Sequence, residues 1–141
     1  NIFQHKVAAG IFLGNAFGKM VGYPQVKELG NIETPIVLTN TLNLASAIDG
    51  IIDYVFSFKE NDSVESVNCV VGETNDGAIN NIRKRFVTRE DVLKAIAESG
   101  PARGQRLLTL KVVSVRLPVN YRTIWAATPL GCSYRAISAD F

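Results

Sequence analysis

Residues Ser66–Gly77 read SVNCVVGETNDG, and this stretch decides the architecture. An apolar, β-branched run over Ser66–Val71 predicts a strand, and the glycine, carboxylate, hydroxyl and amide groups that follow predict a tight turn. Upstream, Ile48, Ile51, Ile52, Val55 and Phe56 recur at i, i+3, i+4, i+7 and i+8, so Leu42–Phe58 reads as a helix with one apolar face. Gly50 inside it costs about 1 kcal/mol against alanine and suits close packing on a sheet. Downstream, Thr88–Ser99 reads as a helix with marked ends. Thr88 is a good N-cap, Asp91 stands where a capping box needs an acid, and Gly100-Pro101 forbids continuation. A strand between two helices predicts an α/β chain.

The N-terminal third fits the same class. Lys6–Leu13 (KVAAGIFL) reads as one apolar strand, and Gly14, Gly18 and Gly22 punctuate a long turn-rich loop. Pro35 leads into Ile36–Thr39, a short buried strand. A chain of 141 residues with 47% hydrophobic content can bury a core. No apolar run approaches the ~18–20 residues of a membrane span, and no signal peptide is visible. A start at Asn1 rather than Met leads us to expect a fragment or a processed product.

Cys69 and Cys132 do not make a disulfide framework, and Cys69 is expected as a buried thiol. The single histidine, His5, has no Cys or Asp cluster beside it, so neither a metal nor a cofactor is expected. A cytoplasmic setting is the default expectation.

Within GETNDG, Glu73 and Asp76 are each suited to an ammonium group, and Asn75 to donating hydrogen bonds to a carbonyl or oxyanion. An aminopeptidase needs such a set: an anion for the free amine, and neutral donors near the scissile carbonyl. The same composition also suits an ordinary Asx turn.

With GNAFGKMVGYPQVKELGNIETPIVLTNTL (Gly14–Leu42) upstream, GETNDGAINNIR (Gly72–Arg83) resembles the self-processing aminopeptidases of the DmpA type, from about Lys6 to Pro101. These comprise L-aminopeptidase/D-amidase-esterases and β-peptidyl aminopeptidases. The resemblance implies a layered αββα sandwich of the DmpA/ornithine-acetyltransferase type, formed jointly by two subunits. It implies a peptide, aminoacyl amide or ester substrate and a homo-oligomer when complete. It places Glu73 in the pocket on the substrate's amino group. Family members often carry an aromatic residue two positions on; Asn75 stands there in this chain and leaves substrate preference open. Asn15, Asn40 and Thr41 read as scaffold that satisfies buried backbone groups.

In this family the nucleophile is a serine that becomes N-terminal in a second subunit after self-cleavage. No segment of this chain matches that cleavage site; Ser99, Ser114, Ser133 and Ser138 lack its context. The missing second subunit leads us to expect an inactive chain.

Charge and pattern change after residue 102. Residues 1–102 hold nine basic and twelve acidic side chains, net −3; residues 103–141 hold six against one, net +5, giving the chain's +2. We therefore read 1–102 as a partial DmpA-type domain and 103–141 as an aberrant basic tail. Moving the frame of Lys111–Tyr134 back by one nucleotide permits GGIGTSSRQLSDDLGGYTVGVLVQ, and Arg135–Phe141 then permits approximately NFGGF. Codon choice is free at many positions but not at all. Asn120-Tyr121 allows only leucine at its junction, and Trp125-Ala126 only glycine. The hidden text resembles the family's missing segment, whose NFG would hold an oxyanion-hole asparagine. Losing one such donor costs ~100–1,000-fold in rate.

Two other readings compete. Arg103, Arg106, Lys111, Arg116, Arg122 and Arg135, with Tyr121, Trp125 and Tyr134, would suit nucleic acid or another acidic partner, but they form no patterned face. An acyltransferase of the ornithine-acetyltransferase kind shares the broad fold and the self-cleavage, without GETNDG in this context. The incomplete sheet is expected to expose edges and apolar surface.

Overall fold

The computed structural model describes residues 1–13 and 18–99, and the backbone of 112–114 and 126–127. It is a mixed α/β fold. The central sheet has four strands in the order β3–β6–β5–β7: Met20–Val21 (β3), Val70–Thr74 (β6), Ile36–Asn40 (β5) and Val112–Ser114 (β7). The β5 strand runs parallel to both neighbours, and β3 is antiparallel to β6. Two small antiparallel ladders complete the strands. Val7–Ala8 (β1) pairs with Asn31–Ile32 (β4), and Gly10–Ile11 (β2) with Ala126–Ala127 (β8).

The side chains of β5 and β6 explain why both faces are covered. Val37 and Val71 pack with Ala47, Ile51 and Val55 of the helix Leu44–Phe56 (α2) and with Val92 and Ile96 of Arg89–Glu98 (α3). Ile36 and Val70 pack with Val26 of Tyr23–Leu29 (α1), Ile32 and Ala9. Consecutive apolar residues on one strand thus feed two cores, as a parallel sheet buried on both faces requires.

The predicted Ile36–Thr39 strand extends by one residue to Asn40. The α2 helix begins later than Leu42, after a 3-10 turn over Thr41–Asn43. Gly50 packs on a helix rather than on a sheet: a Cβ there would stand 2.7 Å from Val92 Cβ. Phe56, expected on the apolar face, is half exposed. The capping box of α3 is present. Asp91 N–H donates to Thr88 Oγ1 at 3.3 Å, and Thr88 N–H donates to Asp91 Oδ2 at 2.9 Å. Gly100-Pro101, its expected stop, lies outside the described residues.

Three expectations need correction. Lys6–Leu13 is two short strands rather than one. Ala9 separates them, and its N–H donates instead to Gly30 O at 2.8 Å. The loop after Gly14 contains β3 and α1. It turns at Gly22, where φ is +81° and a Cβ would collide with Cys69 O. The strand predicted over Ser66–Val71 runs from Val70 to Thr74. Asn68 N–H is used by the Glu33 side chain at 2.8 Å, so the ladder starts two residues later and carries Glu73 on a strand rather than in the turn.

Cys69 is buried and free, and burial pushes its thiol up to about 12. Large apolar side chains are exposed at Phe12, Leu29, Ile79 and Phe86. No described helix is long and apolar enough to cross a membrane. Among the described residues there is no group of three His, Cys, Asp or Glu suited to a metal.

Candidate functional site

The polar end of the sheet follows from how β5 and β6 finish. Each strand starts apolar and ends polar, and their parallel register sets Thr39 beside Glu73 and Asn40 beside Thr74. The carboxyl ends of parallel strands are where open α/β sheets bind ligands. Beyond them, Thr41–Asn43 and Asn75–Asn80 form the surrounding turns. Arg85, the sole described non-glycine residue with positive φ (+50°), ends the Ile82–Lys84 turn and ties it to Thr41–Asn43 by donating Nε–H to Leu42 O at 3.1 Å.

Glu73 has a side chain only 5% exposed. Its Oε1 accepts the Lys19 backbone N–H at 2.9 Å and the Lys19 ammonium at 3.3 Å. The same ammonium donates to Thr41 Oγ1 at 3.0 Å. Gly18 closes over this oxygen, since a Cβ there would stand 2.9 Å from Oε1. Oε2 is buried and has no hydrogen-bond partner among the described residues. The Lys19 side chain is mostly exposed, so its ion pair contributes about 0.2–1 kcal/mol, and an unsatisfied buried oxygen costs more than that.

Asp76 belongs to a different network. Its Oδ2 accepts Asn80 Nδ2 at 3.0 Å and Asn40 Nδ2 at 3.4 Å, and Asn40 Oδ1 accepts from Asn43 Nδ2. Asp76 therefore ties its loop to the end of β5. Asp76 Oδ1, Asn43 Oδ1 and Thr39 Oγ1 join Glu73 Oε2 as buried atoms without a partner among the described residues. Such a surplus of acceptors fits a donor-rich ligand or water.

Asn75 is exposed, and its Oδ1 accepts the Gly77 N–H at 2.9 Å, an Asx turn. Only its NH2 group remains to serve a ligand. Of the three residues singled out in the sequence, Glu73 carries a partly unsatisfied buried carboxylate, Asp76 organises the loop, and Asn75 shapes the turn. Asn40 and Thr41 were expected to satisfy backbone groups. Their side chains instead bond to side chains, Asn40 to Asp76 and Asn43, Thr41 to Lys19. Asn15 and the six cations of the tail lie outside the described residues. The sequence reading missed Lys19 as the partner of the Glu73 carboxylate, Thr41 as the second acceptor of the Lys19 ammonium, and Asn43 and Asn80 altogether. The polar run TNTLN directly after an apolar strand was the available signal.

Residues 1–107 match Peptidase family S58. The chain is similar to the Beta-peptidyl aminopeptidase BapA of Sphingosinicella microcystinivorans, 34% identical over 97 residues, which are 67% of this chain and 24% of that protein. It is also similar to the crystal structure of the PH0078 protein from Pyrococcus horikoshii OT3. There the TM-score is 0.65 and the identity 47%, covering 69% of this chain and 28% of the other. A Burkholderia sp. beta-aminopeptidase structure gives a TM-score of 0.58 and 31% identity, covering 65% and 26%. The chain thus spans about a quarter of the length of these relatives. With the glycine-rich approach, the GETNDG strand end and the capped helix all inside the matched region, the chain belongs to Peptidase family S58.

Proposed function

We propose that these residues form the amine-binding side of an aminopeptidase site. The enzyme they belong to releases N-terminal residues from peptides, amides or esters. One observation carries the reading: Glu73 is a nearly buried carboxylate that already holds an ammonium on Oε1, while Oε2 has no partner among the described residues. Asn75, at the strand's exit, supplies the amide donor. The family and the named β-aminopeptidases support the reaction class.

The rest of the machinery lies elsewhere in the proposed enzyme. A serine freed at the N-terminus of a second subunit by self-cleavage is the nucleophile, and the two subunits complete a layered αββα sandwich. The complete enzyme is a cytoplasmic homo-oligomer without a cofactor. Residues 1–102 are the part that serves this domain. Residues 103–141 are its out-of-frame continuation, as their +5 charge and the hidden family-like text suggest. These 141 residues alone then hydrolyse nothing.

The test compares two polypeptides. One is the chain as written. The other carries the one-nucleotide change that restores GGIGTSSR, together with the coding sequence that follows. The second is expected to cleave itself and release an amine from an aminoacyl anilide, and the first to release none. Release by the first, or a restored chain that neither cleaves itself nor hydrolyses, overturns the proposal.

A further inference from the structure

The Lys19 ammonium shows how this site would hold a ligand. It donates to Glu73 Oε1 at 3.3 Å and to Thr41 Oγ1 at 3.0 Å. A primary ammonium has three donors, and these two acceptors use two of them. The acceptors come from different elements: Glu73 from β6, Thr41 from the turn that follows β5. Neither atom depends on the Lys19 side chain for its position. Glu73 Oε1 is also held by a backbone N–H at 2.9 Å beneath Gly18, and Thr41 lies within a 3-10 turn. The ammonium itself is the loosely held member. Its contact with Glu73 is long, and its side chain is 62% exposed.

We propose that Glu73 Oε1 and Thr41 Oγ1 form a two-point seat for a primary ammonium, filled at rest by Lys19 and yielded to the amine of the substrate. This rests on the reading of Glu73 as the amine-binding carboxylate and adds Thr41 as a ligand-contacting residue and Lys19 as an internal competitor. The electrostatics set the sign. A unit positive charge at 3.3 Å from the carboxylate opposes a second cation there, so removing it strengthens amine binding. The backbone N–H of Lys19 survives any substitution at that position and continues to orient Oε1. An exposed ion pair is weak, so the gain is modest, about two- to fivefold in affinity.

The experiment titrates the 141-residue chain with β-alaninamide and follows the Lys19 (or residue 19) backbone amide by NMR, because that N–H reports on Oε1. N-acetyl-β-alaninamide, which has no ammonium, is the control. Lys19→Met is expected to bind the amine two- to fivefold more tightly than the wild type. Lys19→Arg, which keeps the charge, should stay near the wild type, and Thr41→Val in the Lys19→Met background should weaken binding again. Equal or weaker binding by Lys19→Met, or a response to the acetylated control, overturns the inference. Glu73→Gln separates the two readings. If it abolishes binding while Lys19→Met brings no gain, Glu73 stands as the amine site and the competitor fails. If it leaves binding intact, both fail.

Discussion

Among the described residues, the side chains of Glu33 and Glu73 are both sheltered from solvent, and they are sheltered differently. Glu33 accepts the Lys6 ammonium at 2.6 Å, the Asn68 N–H at 2.8 Å and Gln25 Nε2 at 3.4 Å, so both oxygens are engaged. Burial alone would push its carboxyl up, but the bonds from Lys6 and Asn68 and the charge of Lys6 outweigh that and hold it below the usual glutamate range. Glu73 is equally sheltered, yet all its donors fall on Oε1, and Oε2 has none among the described residues. A carboxylate whose lone pairs are satisfied by the protein supports the fold. One left half-satisfied costs stability and suits a ligand. Neighbouring lysines do not make the difference, since each glutamate has one; the completeness of the donor set does.

The sharpest way to break this comparison is to remove each carboxylate in turn. Glu33→Ala leaves the Asn68 N–H without its acceptor and releases the half-exposed Lys6 ammonium to solvent, and should cost about 1–3 kcal/mol in urea unfolding. Glu73→Ala should cost less than about 1 kcal/mol, because it also removes an unsatisfied oxygen. Equal losses would erase the distinction.

Acid should act through Glu33. Its folded carboxyl titrates below its unfolded one, so its stabilisation is present above the usual glutamate range and is lost as pH falls through the lowered folded value. The urea midpoint should therefore drop on acidification, and Glu33→Gln should flatten that part of the pH profile.

Gly18→Ala sharpens the other side. The added Cβ would meet Glu73 Oε1 at 2.9 Å, so amine binding should weaken several-fold while thermal stability changes little. Thr88→Ala, far from both carboxylates in sequence, removes a capping-box oxygen. It should cost about 1 kcal/mol of stability and leave amine binding unchanged.

The contrast also shows what was legible in the sequence. Local chemistry was: the cap at Thr88 and Asp91, most of the apolar stripe of α2, and the buried thiol of Cys69. What failed depended on distant partners. The α1 helix was missed because YPQVKEL offers little periodicity, and one of its apolar residues, Leu29, is exposed. The start of β6 was misplaced because Glu33, 35 residues away, claims the Asn68 N–H. Lys19 was missed because its contact spans 54 residues, a separation that no local pattern encodes.

The most direct measurement is steady-state hydrolysis of an aminoacyl anilide by the proposed frame-restored enzyme carrying Glu73→Gln, with its melting temperature measured alongside. Loss of a charged bond to the amine predicts a fall in kcat/KM of about 10- to 100-fold, with the melting temperature and self-cleavage preserved. Unchanged kinetics in a folded, self-cleaved Glu73→Gln enzyme would contradict the account, because the half-satisfied carboxylate would then serve no amine.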